Sequence, residues 1–176
     1  MEREKITELD GRSWVSLFSK LDDGYYRQEL PKKQRVQVRI LHVCLFLVSV
    51  VLYLTAAAQG FGANLAWYVV VPEVLVLGGM FRIMAAFITY LSMGQEMSSA
   101  DHNRSSFALK RTSICNAVLQ VLTCAGTVVY MCKNNDVSGS GVLSACLFVA
   151  SSVPMVVMFF VEKSILYTRT VEPDKS

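Results

Sequence analysis

The chain has 176 residues, of which 53% are hydrophobic and 18% charged, with a formal net charge of +3. A soluble globular protein is about 45–50% apolar, and here the excess is gathered into long runs that a soluble core cannot use. The basic residues flank those runs instead of forming a nucleic-acid footprint, and Cys44, Cys115, Cys124, Cys132 and Cys146 form no CxxC pair, which argues against a disulfide framework or a zinc site.

Residues 1–39 form a basic cytoplasmic segment with nine of the 17 Lys and Arg. Within it Trp14, Leu17, Phe18 and Leu21 follow an i, i+3, i+4, i+7 pattern that predicts a short amphipathic helix. Such a helix lies on the inner leaflet, with Lys20, Arg27, Lys32, Lys33, Arg35 and Arg39 facing anionic lipid. Packing under the bundle or onto a partner is the competing use of the same face. Gly24 and Pro31 end this helix.

Four runs then meet the length of about 20 apolar residues needed to cross a hydrocarbon core of about 30 Å: 40–58, 65–91, 114–132 and 142–161. The first is uncharged, its polar breaks being His42, Ser49 and Thr55. Ala56 and Ala58 mimic a signal-peptidase site, but the preceding polar region is far longer than a signal peptide's charged head, so a permanent signal-anchor is expected. The second run carries Glu73 and Arg82; the third and fourth are uncharged. Counting Lys and Arg by side gives fifteen against one, which puts both termini in the cytoplasm.

The connection 92–113 is polar and Ser-rich. Asp101, His102 and Asn103 are adjacent and do not converge as metal ligands without a second cluster. Arg104, Ser105 and Ser106 form a short pattern that phosphorylation could use. The hairpin Asn134 to Gly141 has turn composition, and with both outer loops this short a large external ligand has nothing to bind. Residues 162–176 read as a cytoplasmic tail.

A charge at the bilayer centre is opposed by about 2.5–3.5 kcal/mol on insertion scales, which makes Glu73 and Arg82 the residues to explain. Pro72 favours a helix beginning there, which leaves Glu73 at the outer interface beside Trp67 and Tyr68; a start near Leu65 would bury it deeper. Arg82 lies near mid-membrane, on the face opposite Glu73, and must look to another helix. Asn116, Gln120, Thr123, Thr127 and Tyr130 recur at heptad spacing on the third span, a polar seam that Arg82 meets through a face of Gly78, Ala86 and Thr89. In the fourth span Gly141, Ser144, Ala145, Ser151 and Ser152 allow close packing, and Pro154 frees a backbone carbonyl.

The expected fold is an all-α membrane protein, a four-transmembrane-helix bundle with a short N-terminal amphipathic cytoplasmic helix. The expected function is that of a non-enzymatic accessory or scaffold subunit with a cytoplasmic interaction face, working as a homo-oligomer or in a larger membrane complex without nucleic acid or cofactor. A small oligomeric transporter or channel using Arg82 and the polar face of the third helix is the alternative. An enzyme is disfavoured, since no HExxH, no GxSxG and no aspartate within a span is present. With no retention or transit signal, the plasma membrane is the expected location.

Overall fold

The computed structural model describes residues 24–59, 62–92, 94, 96–135 and 137–171. The amphipathic pattern at Trp14, Leu17, Phe18 and Leu21 lies outside the described residues. Four long helices dominate: α1 (Lys32–Ala57), α2 (Trp67–Ser92), α3 (Ala108–Asn134) and α4 (Gly139–Ser164). At 26 or 27 residues each is about 40 Å long, and all four are long and apolar enough to cross a membrane.

α1 begins directly after Pro31, so the basic run from Lys32 to Arg39 is helical and extends the first helix eight residues below the apolar run at 40–58. α2 begins at Trp67 and passes through Pro72, so the start expected at the proline is corrected: the helix is five residues longer there. The carbonyl that Pro72 deprives of its helical donor is that of Tyr68. It faces Gly126 of α3, where even an added Cβ would come within 3.0 Å of it. α3 is preceded by a helical turn (Ser99–His102) and a wider π turn (Asn103–Phe107). It ends at Asn135, whose left-handed φ of 49° suits asparagine better than most residues. Ser138 then caps α4 by accepting from the Gly141 N–H at 3.2 Å.

The helices run up and down in sequence order. α4 packs between α1 and α3, and α2 packs on α3. The α1–α2 side closes through side chains: the Tyr53 hydroxyl donates to the Glu73 carbonyl at 2.8 Å, and Phe46 meets Phe87 edge-on at 5.5 Å. The bundle is inverted relative to a soluble one. Its surface carries Leu47, Val51, Phe81, Ile88, Leu122 and Phe160, whereas Ser49, Gln120, Thr123, Ser144 and Ser151 are buried. Apolar outer faces suit lipid, where no water competes for an exposed backbone.

The all-α expectation needs one correction. β1 (Gly24–Gln28), β2 (Glu96–Ser98) and β3 (Tyr167–Val171) form an antiparallel sheet in the order β2-β1-β3. The register sets Tyr26 opposite Met97 on one side and Arg169 on the other, with Gln28 opposite Tyr167. Because β1 precedes α1, β2 follows α2 and β3 follows α4, up-and-down topology brings all three strands to the same end of the bundle. Cross-strand pairing then joins segments that sequence periodicity cannot relate.

Candidate functional site

One group of buried polar side chains gathers at that end, beneath the sheet. Glu162, in the last turn of α4, is only 2% exposed. Its Oε1 accepts hydrogen bonds from the Ser106 hydroxyl and, at 2.8 Å, from the Tyr167 hydroxyl. Its Oε2 accepts from the Tyr90 hydroxyl at 3.2 Å and lies 3.4 Å from His42 Nε2. One carboxylate thus draws a group from every long-helix segment and from β3: His42 from α1, Tyr90 from α2, Ser106 from the π turn leading into α3, and Tyr167 from β3.

Local structure accounts for each position. His42 is on the inner face of α1, since His42, Ser49, Tyr53 and Ala56 are buried at heptad spacing. Its Nδ1 donates to the Val38 carbonyl at 2.8 Å, because a carbonyl can only accept. The π turn carries Ser105 and Ser106, both buried, on consecutive inward positions. Tyr167 follows the end of α4 by three residues, as β3 turns up against β1. Burial holds the Tyr167 hydroxyl above its ordinary range, and the neighbouring Glu162 charge adds to this, so it remains a donor at neutral pH.

A ring stack continues outward from the carboxylate into the sheet. The Tyr167 ring meets His102 edge-on at 4.7 Å, and His102 stacks on Tyr26 of β1 at 4.2 Å. On the other flank the Arg39 guanidinium sits over Tyr90 at 5.6 Å and donates to the Leu91 carbonyl at 3.2 Å. The centre therefore lies where the apolar runs stop, between Arg39 and Ile40 on α1 and between Val161 and Glu162 on α4.

The predicted seam residues are placed differently from one another. Asn116, Gln120, Thr123 and Thr127 are buried on the inner face of α3. Asn116 donates to the Val76 carbonyl and Gln120 to the Ser49 hydroxyl, each at 3.4 Å, and Ser49 donates onward to the Ser151 carbonyl at 2.7 Å. Thr123 and Thr127 bond carbonyls of their own helix, and Tyr130 is half-buried near Gly62. Arg82 is not part of this seam: it is exposed, on the outside of α2, and makes no ion pair among the described residues. The face of α2 that meets α3 carries Gly79, not Gly78; an added Cβ at Gly79 would lie 1.9 Å from Asn116 Oδ1, while Gly78 has open space around it. One residue of rotation, about 100°, separates the expected face from the observed one. Glu73 is half-buried, with Oε1 shielded and unpartnered among the described residues.

Between the Glu162 centre and the Ser49–Gln120 layer, the intervening turns of α2 and α4 carry Ile83, Phe87, Met155 and Met158, all buried. Arg82, exposed on α2, thus lies apart from the buried face of α3. No group of three or more metal-ligating side chains is present among the described residues. Comparison with family models, with curated proteins and with solved structures finds no match to this chain.

His42 and Glu162 did not stand out in the sequence because each is a single polar residue at the edge of an apolar run. The available signal was the heptad stripe His42, Ser49, Tyr53, the same spacing that marks the polar face of α3.

Proposed function

We propose that this chain is a plasma-membrane protein with four spans and cytoplasmic termini, serving as a non-enzymatic accessory subunit of a larger membrane assembly. The fifteen-to-one distribution of Lys and Arg supports the orientation. In that orientation the sheet and the basic start of α1 lie at the inner surface, where Lys32, Lys33 and Arg35 meet anionic lipid or a cytoplasmic partner.

The observation that carries the subunit reading is Arg82. It projects from the outside of α2, ten residues before the helix ends at Ser92, among exposed Phe81, Met84 and Ile88. Left in lipid it would oppose insertion by about 2.5–3.5 kcal/mol. The exposed small residues Gly78 and Ala85, one turn to either side, leave room for a neighbouring helix to approach the guanidinium. A partner helix with a carboxylate at the same depth satisfies both features.

Gentle solubilisation followed by affinity purification tests this. The wild-type chain should bring down a membrane partner that Arg82→Leu loses and Arg82→Lys partly retains, with all three chains expressed equally. A chain that purifies alone, or a partner retained in full by Arg82→Leu, would count against the proposal.

A further inference from the structure

We infer that the exposed start of α1 is a docking face for a phospholipid whose headgroup carries phosphomonoesters, with Lys32 and Lys33 holding the phosphates and an acyl chain lying along Ile40 and Leu47. The inference rests on the four-span reading and names the lipid that the basic end of α1 meets. Lys32 and Lys33 are exposed, and neither is in an ion pair among the described residues. No acidic residue stands in the first turn of α1. The carboxylate nearest in sequence, Glu29, is turned to the Thr168 hydroxyl of β3. Arg35 adds charge from the flank, where its Nη2 donates to the Leu30 carbonyl at 3.3 Å. Adjacent cations with no carboxylate set against them favour an anion bearing more than one charge.

The course of this face selects a lipid over a soluble anion or an acidic peptide. At about 100° per residue, Val36, Ile40 and Leu47 fall on the arc between Lys32 and Lys33, and all three are exposed. The arc lies away from the buried stripe of His42, Ser49 and Tyr53. One outward strip therefore runs from cations straight into apolar surface, the complement of a phosphate joined to hydrocarbon. Depth then selects the headgroup. Lys32 and Lys33 precede Ile40, where the apolar run begins, by about 12 and 10 Å along the helix. Helical side chains lean toward the N-terminus, which carries the ammonium groups farther out still. The headgroup layer is about 5–7 Å deep on each side of a bilayer, so ordinary phosphodiesters fall short of the two lysines. A phosphomonoester borne on a headgroup ring beyond the phosphodiester reaches them.

Calorimetric titration of the full chain in an uncharged detergent with dioctanoyl lipids tests this. Dioctanoyl phosphatidylinositol bisphosphate should bind about tenfold more tightly than dioctanoyl phosphatidylserine. Each lysine removed should weaken it roughly fivefold, so that Lys32→Gln/Lys33→Gln loses about 25-fold, while Lys163→Gln, also at an exposed position, changes little. Inositol trisphosphate, which has the phosphates without acyl chains, should bind more weakly than the lipid. Equal binding of the two lipids overturns the proposal, as does an unchanged affinity in the double variant. Trisphosphate binding as tightly as the lipid would assign the face to a soluble anion, and tighter binding of poly-glutamate would assign it to an acidic protein; either result overturns it too. The comparison of lipids uses the wild-type chain, so it stands whatever the variants do. None of these titrations depends on Arg82 or on which side is cytoplasmic, so a failed titration and a failed co-purification are separate outcomes.

Discussion

Glu162 and Arg82 are opposite solutions to placing an ionic side chain in an apolar helix. Glu162 is surrounded by three hydroxyl donors and an imidazole drawn from four elements, so its carboxyl oxygens find their partners within the chain. Arg82 faces outward without an ion pair among the described residues. A buried charge that is paired and fully hydrogen-bonded is structurally committed, and removing its partner is what destabilises. An outward charge on an apolar face has little to do with the monomer's fold and much to do with what lies beside it. The first difference to be expected is therefore between stability phenotypes and assembly phenotypes.

Truncating the carboxylate gives the largest effect. Glu162→Ala strands three buried hydroxyls and leaves the His42 ring facing a void, and is expected to lower stability by about 3–5 kcal/mol, read by thermal or denaturant unfolding in detergent. A midpoint equal to wild type would mean that the centre does not hold the sheet end of the bundle together. Next comes the α2–α3 contact, where Gly79→Ala drives a methyl into Asn116 Oδ1 at about 1–3 kcal/mol. The coupling is specific, so in an Asn116→Ala background most of that loss should vanish; purely additive values would show that the two residues do not share space.

Smaller again is the middle layer. Ser49→Ala removes the donor to the Ser151 carbonyl and should lower stability by about 0.6–2 kcal/mol, with a loss as large as that of Glu162→Ala arguing that the seam and not the Glu162 centre carries the bundle. The smallest effect on the fold belongs to Arg82→Leu, within about 0.5 kcal/mol of wild type as for a surface site. The same variant should show the greatest loss of co-purified partner. An unfolded Arg82→Leu monomer would erase the contrast between the two charges.

Periodicity read well where one helix face is enough to decide burial. The stripe Asn116, Gln120, Thr123 and Thr127 lies inside the bundle because four small polar groups at heptad spacing cannot all face lipid and can all find carbonyls. It read poorly where two helices must be set against each other. Choosing Gly78 over Gly79 rotates α2 by one residue, and nothing within α2 distinguishes adjacent glycines; only the approach of Asn116 does. The same rotation moves Arg82 from the seam to the outside.

What the sequence determines by itself is the four apolar runs, their lengths and the charge asymmetry around them, because hydrophobic length and Lys/Arg distribution are one-dimensional quantities. What only the tertiary structure decides is the company each polar residue keeps. Tyr90 and Glu162 are 72 residues apart, and Ser106 and Glu162 are 56 apart. They meet because up-and-down topology returns alternate helix ends to one plane, which the three strands then tie together. A hydrogen bond depends on a few tenths of an ångström between elements, and that precision comes from packing, not from pattern.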